Sequence, residues 1–397
     1  MERLSDNTRF VLADIEEVRN NLLPLTFTRP VAMLLVGCMS MIDRWRKLLP
    51  AGAEITVSTQ NYLQEKFGLP VSENAVIISA HYVADEALAN AVATLPRGCE
   101  LVDQSGNTIA VYPSDDKSVK ERVTYSGSDL LSLTRLTDLF TLNGEIIKRD
   151  IPLLTRDMER AEISPSNRVV GNPEDVFIEK GAVVECASLN TLSGPIFISA
   201  GAEVMEGSML RGPLYIGHST NINMGSKIYG ETTIGPHCKI GGEVNNVVIT
   251  GYTNKAHDGF LGNAVVGEWC NLGAGCNASN LKNDYTEIKQ WNYPARRFVR
   301  TGLIHCGLVM GDHSKAGINT MFNTATVIGV GVNIHGTGFP RNFIASFSDG
   351  SAAGFTEVPI SKFLTTARKV MARRDVELTE IDIRLFEHLH AITDTYR

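Results

Sequence analysis

Through the middle of the chain an aliphatic residue recurs at every sixth position, a period that belongs to neither a helix at 3.6 nor a strand at 2. Ile198, Val204, Leu210, Ile216, Ile222, Ile228, Ile234 and Ile240 form one unbroken series. Ile304, Met310, Ala316, Phe322, Ile328 and Ile334 form a second, Phe260, Val266 and Leu272 a shorter one between them, and Ile178 and Val184 extend the pattern upstream. This spacing fits a triangular coil of about eighteen residues in which each short flat side sends one side chain inward. Glycines that follow inward positions, such as Gly217, Gly235 and Gly273, suit the tight backbone of the corners. From about Ile178 to Ile334 the chain therefore reads as a left-handed parallel β-helix. Stacked coils bury a continuous aliphatic column, so the repeat itself is explained by stability, and function must come from what interrupts it.

Two interruptions stand out. Ile240 to Phe260 is twenty residues instead of eighteen, which predicts two extra residues around Asn245 to Asn254. A longer excursion, Cys276 to about Thr301, leaves the column and is rich in Asn, Lys and Arg. Loops thrown out of a rigid scaffold are where binding groups collect.

The flanks read differently. Apolar strand candidates at Arg9–Ala13, Met33–Val36 and Ala75–Ser79 alternate with helical stretches such as Ala84–Thr94, the pattern of an α/β domain with a Rossmann-type sheet. After the repeat, Phe363, Ala367, Val370 and Met371, then Ile381, Leu385, Leu389 and Ile392, predict two amphipathic helices that cap the solenoid's open end. The expected domains are 1–155, 165–350 and 358–397.

Composition narrows the partners. With 37 Lys and Arg against 44 Asp and Glu the net charge is −7, which supplies no general basic field for nucleic acid or an anionic membrane, so any phosphate site is local. The seven cysteines are scattered without CxxC or zinc-type spacing and read as reduced thiols. The opening MERLSDNTRF lacks an apolar signal core, and no run of about eighteen apolar residues occurs. A soluble, cytoplasmic protein is expected, with no resident metal. A zinc site of the γ-carbonic-anhydrase type needs paired histidines on one strand, and His305 and His313 are eight apart.

The stretch NKAHDGFLGNAVVGEWCNLGAGCNASNLKND, Asn254 to Asp284, carries a family resemblance. Lys255-Ala256-His257, Phe260-Leu261-Gly262, Gly273-Ala274-Gly275 and Asn280 resemble the acetyltransferase half of the bifunctional enzymes that make UDP-N-acetylglucosamine, glucosamine-1-phosphate N-acetyltransferase joined to UDP-N-acetylglucosamine pyrophosphorylase (the GlmU family). The resemblance implies transfer of an acyl group from acetyl-CoA to the amine of a sugar phosphate such as glucosamine 1-phosphate, in a homotrimer. Histidine titrates near about 6.5, which suits it to take the amine's proton at neutral pH, and His257 is the candidate base. A backbone amide within Gly273–Gly275 is the candidate donor to the oxyanion.

By the same resemblance Asn271, Asn280 and Lys255 stand where substrate is contacted, and Phe260 stands where the family has Tyr. Lys239 and Arg211 are the candidates for the sugar phosphate, and Lys282, Lys289, Arg296 and Arg297 on the excursion are candidates for sugar phosphate or for the phosphates of coenzyme A.

Arg19 and LLPLTFTRPVAMLLVG, Leu22 to Gly37, resemble the family's nucleotidyltransferase domain, with departures where chemistry occurs. The glycine-rich loop whose amides hold nucleotide phosphates is replaced by ADIEEV, Ala13 to Val18; the family's Lys is Val31; its magnesium-binding Gly-Asp is Ser79-Ala80. Three carboxylates in place of phosphate-cradling amides disfavour a triphosphate. Mg2+ is expected only if that domain transfers nucleotides. The competing reading is a catalytically degenerate protein, structural or binding sugar nucleotides.

Overall fold

The structure, a computed structural model, describes residues 9–68, 75–127 and 129–397; the charged first eight residues lie outside them. The chain divides into two compact units. One holds Thr28–Leu34, Met39–Arg135 and the chain up to Leu22; the other holds Leu23–Phe27, Leu35–Cys38 and Leu136–Arg397.

The first unit is built on a six-stranded sheet. Arg9–Ala13 lies at its parallel heart, between Glu54–Ser58 and Ala75–Ser79. Its Phe10, Val11 and Leu12 are all buried, as a strand covered on both faces requires. Thr108–Tyr112 joins antiparallel to Ala75–Ser79. The predicted helix at 84–94 runs Glu86–Ala93, begun by the Asp85 carboxylate accepting the Leu88 N–H. Met33–Val36 is not the strand the sequence suggests: Pro30 opens a 3-10 turn, Val31–Met33, and only Leu35–Val36 is extended.

The second unit is the parallel β-helix. On its first face Ile198, Ile216, Ile234, Ile249, Val266, Met310, Ile328 and Ile344 stack in register, coil upon coil. Every member of the series Ile198 to Ile240 is at most 2% exposed, so the six-residue period is the inward column.

The predicted insertion is a deletion. The inward residues after Ile234 are Ile240, Val244, Ile249, Lys255, Leu261 and Val266, and the shortest step, four residues, falls at Gly241–Gly242. Other corners between the second and third faces use four residues, for example Asn223–Ser226; here two glycines close the turn, Gly242 at φ +76°. A Cβ on Gly241 would overlap the Ala256 carbonyl oxygen. Phe260, counted inward from the period, faces outward and is half-buried, while its neighbour Leu261 is fully buried; adjacent strand residues point to opposite faces, so a shift of one residue exchanges them. Ile304 is also out of phase, 48% exposed, because the column resumes only as the excursion returns to Val309–Met310. The excursion itself forms a hairpin, Lys289–Asn292 against Arg297–Arg300.

Two features frame the second face. At the corner leading into it His237, Tyr252, Trp269 and His313 all adopt positive φ and stack, the Tyr252 and Trp269 rings 4.2 Å apart. Left-handed backbone costs a non-glycine residue roughly 1–2 kcal/mol, which ring stacking of about 0.5–1.5 kcal/mol per pair offsets. The ladder ends against Phe363 and Phe386 of the two C-terminal helices, Ile360–Ala372 and Glu380–Ile392. A capping box between Thr379 and Asp382 starts the second of these.

The helix Asn143–Thr155 also belongs to this unit, with Ile147 and Ile151 packed on Phe197 of the first face. Among the described residues no helix is long and apolar enough to cross a membrane.

Candidate active site on the second face

Strand alternation builds the site. In four successive coils the second face reads Lys239–Ile240, Asn254–Lys255, Asn271–Leu272 and Lys315–Ala316. The second residue of each pair points into the column, so Lys239, Asn254, Asn271 and Lys315 form a ladder on the outside. That ladder floors a cavity of about 560 Å³. Tyr252 and Trp269 wall one end, His257 and Gly273–Ala274 the other, and Arg373 and Arg374 close over it from the end of the helix Ile360–Ala372.

No carboxylate lines this cavity, although it holds Lys239, Lys315, Arg373 and Arg374. In a chain of net charge −7 that is a local concentration of positive charge. Arg374 is oriented by donating to Asn254 Oδ1 at 2.9 Å. Lys315 Nζ donates to the His313 carbonyl at 2.8 Å, and burial pushes its pKa below the usual lysine range. Burial, with the neighbouring His218 and Arg374, likewise lowers that of His237.

His257 stands exposed on the corner Ala256–Gly259, directly after the truncated Gly241–Gly242 corner. The missing residues leave a step, and Asn223 reaches past it from two coils away to donate to the Ala256 carbonyl at 2.7 Å. Below His257, the Gly273 N–H goes to Ala316, that of Gly275 to Asp258 and that of Cys276 to Gly273. Among the described residues the Ala274 N–H has no protein acceptor, and Ala274 lines the same cavity as His257. A free backbone donor beside a base is the arrangement that acyl transfer needs.

The structure thus gathers His257, Lys239 and Asn271 of the expected residues and disperses the rest. Lys255 points into the column, 2% exposed, and is not among the residues that line this cavity. Phe260 and Asn280 meet on the third face around Gly262, where Asn280 Nδ2 donates to Asn263 Oδ1 at 2.7 Å. Arg211 ends the third-face strand Met209–Arg211. Lys282 and Lys289 line a separate, open cavity of about 740 Å³ beside Trp291 and Phe343. Arg296 lies over the Tyr396 ring and donates to Thr395, and Arg297 is exposed on the hairpin. Lys315 escaped the sequence reading although it occupies the same phase as Lys239, one residue before an inward position; Arg373 and Arg374 carry no such signal.

In the first unit the replaced loop is closed by its own carboxylate. Asp14 accepts the Val31 N–H at 2.9 Å and the Thr59 hydroxyl at 2.6 Å, and burial raises its pKa. Glu16 and Glu17 occupy the exposed first turn of the helix Glu16–Asn21. Ser79 donates to the Thr108 carbonyl. Among the described residues no three His, Cys, Asp or Glu converge as metal ligands.

Residues 10–159 match the model of a family described as sugar nucleotidyl transferase. A bifunctional sugar-1-phosphate nucleotidylyltransferase/acetyltransferase of Sulfurisphaera tokodaii is 34% identical over 146 residues, 36% of this chain and 36% of the relative's length. Among solved structures, the polySia-specific acetyltransferase NeuO matches at TM-score 0.29 and 12% identity, over 52% of this chain and all of its own. The Arabidopsis UDP-N-acetylglucosamine acyltransferase matches at TM-score 0.24 and 14% identity, over 59% of this chain and 93% of its own. The chain thus joins a segment similar to sugar nucleotidyl transferases, residues 10–159, to a β-helix of six-residue repeats, and it spans about a third of the length of the curated relative it matches.

Proposed function

We propose that the chain is an acyl-CoA-dependent N-acyltransferase for a sugar phosphate amine, glucosamine 1-phosphate or a close relative, in the synthesis of UDP-N-acetylglucosamine or a similar nucleotide sugar. One observation carries this reading: His257 and Ala274, whose N–H has no protein acceptor among the described residues, line a single cavity that holds four cations and no carboxylate. The amine attacks the thioester carbonyl and its proton passes to the His257 imidazole. The carbonyl oxygen, now an oxyanion, takes the Ala274 N–H; as it collapses the carbon–sulfur bond breaks, and the imidazolium returns a proton to the departing thiolate. Lys239, Lys315, Arg373 and Arg374 hold the phosphates of the two substrates, and Asn254 and Asn271 contact the sugar.

Replacing both Arg373 and Arg374 by Ala tests the cation cluster. Losing two charge-assisted contacts of about 1.5–3 kcal/mol each raises KM for the phosphate-bearing substrates roughly 10²- to 10⁴-fold, with kcat within about threefold. Steady-state kinetics in both substrates measure this, and an unchanged KM would remove the helix end from the site.

In the first unit a triphosphate meets Asp14, Glu16 and Glu17 where amides are needed. Calorimetric titration with UTP and Mg2+ is expected to show no saturable heat; clear binding would restore nucleotidyl transfer to the reading. Seven free thiols suit a reducing, cytoplasmic setting, and a trimer is the assembly the family resemblance implies.

A further inference from the structure

Lys255 occupies a place that an aliphatic residue holds in the neighbouring coils. Its inward neighbours on the second face are Ile240 before it and Leu272 after it. It is the only charged residue at an inward position of that face among the described residues. A buried ammonium costs several kcal/mol of lost hydration, and an apolar side chain of similar volume is often neutral or stabilising in such a place. Stability therefore does not account for it.

Its contacts do. Nζ donates to the Gly241 carbonyl and to the His257 carbonyl, each at 2.7 Å. The two carbonyls belong to successive corners, the truncated one and the one that carries the imidazole. The truncated corner has no side chain to brace its neighbour, since Gly241 and Gly242 lie against the backbone of residues 256–259. Asn223 secures the Ala256 carbonyl from outside the column and Lys255 secures the next one from inside. Burial pushes the Lys255 pKa down to about 8, with Cys276 and Asp258 acting in the opposite direction.

We propose that Lys255 is a positioning residue, whose ammonium inside the β-helix clamps the backbone of the His257 corner and so aims the imidazole into the cavity. The inference rests on the acyl-transfer reading for its kinetic consequence but not for its geometry.

Lys255→Met in the full chain keeps the volume and removes the donor. The expected result is a melting temperature equal to or above that of the parent, kcat lowered about 10- to 100-fold and KM within about threefold, the pattern of a lost orienting contact. A second readout needs no turnover: the ¹³Cε1–¹H resonance of His257, assigned by its absence in His257→Ala, is expected to shift or broaden in Lys255→Met. An unchanged resonance or an unchanged kcat overturns the proposal, and so does a Lys255→Met chain that fails to fold, which would make the residue structural. A parent protein without thiol release would sink the acyl-transfer reading instead, with the resonance still deciding for Lys255.

Discussion

His257→Ala is expected to lower kcat for acyl transfer by about 10²- to 10⁴-fold, the range that a positioned general base contributes. KM should change little, because the cations and asparagines that floor the cavity are untouched. The fold should not change either: the side chain is exposed on a corner, and the column beneath it consists of other residues. Thiol release from acetyl-CoA followed at several pH values measures both points. A rate equal to the parent's would take the imidazole out of the mechanism while leaving the cavity as a binding site.

The second large effect concerns the corner's backbone. At φ +125° Gly259 adopts a conformation that L residues avoid, and a Cβ there would overlap the Cys276 carbonyl oxygen of the next coil. Backbone cannot swing aside as a long side chain does. Gly259→Ala is therefore expected to cost about 3 kcal/mol or more, combining strain and overlap, and to lower the melting temperature by roughly 6–12 °C for a unit of this size. Gly225→Ala supplies the contrast. Gly225 also has positive φ, +69°, but a Cβ on it meets nothing within 4 Å, so the cost reduces to about 1–2 kcal/mol of backbone strain. Thermal unfolding followed by circular dichroism measures both; equal losses would mean that the close approach of the two corners does not govern stability there.

The architecture was legible because the β-helix writes one aliphatic residue per flat side into the sequence, and its burial follows that count. The count lost phase where two apolar neighbours competed, at Phe260 and Leu261, and where Gly241–Gly242 shortened a corner; a period reports spacing and is blind to which of two adjacent residues turns inward. Lys255 misled for a related reason. A lysine in a catalytic motif reads as a contact for substrate, yet its phase, six residues before Leu261, puts it in the column.

His257 and Asn271, from the motif, and Lys239, from its spacing ahead of the candidate base, were named from the sequence and line one cavity. Arg373 and Arg374 were not named, since which face a C-terminal helix covers is decided by tertiary packing, here Phe363 and Phe386 against the end of the aromatic ladder. In the first unit the carboxylates of Ala13–Val18 were legible as a departure from a phosphate-cradling loop. What only the structure supplies is that Asp14 is held by Val31 and Thr59, which leaves its oxygens committed within the fold.

Thiol release from acetyl-CoA, measured against glucosamine 1-phosphate with the purified full chain, bears most directly on the account. Saturable release that requires both substrates is the predicted result. Release no faster than in buffer, across acyl donors and amino-sugar phosphates alike, would contradict it.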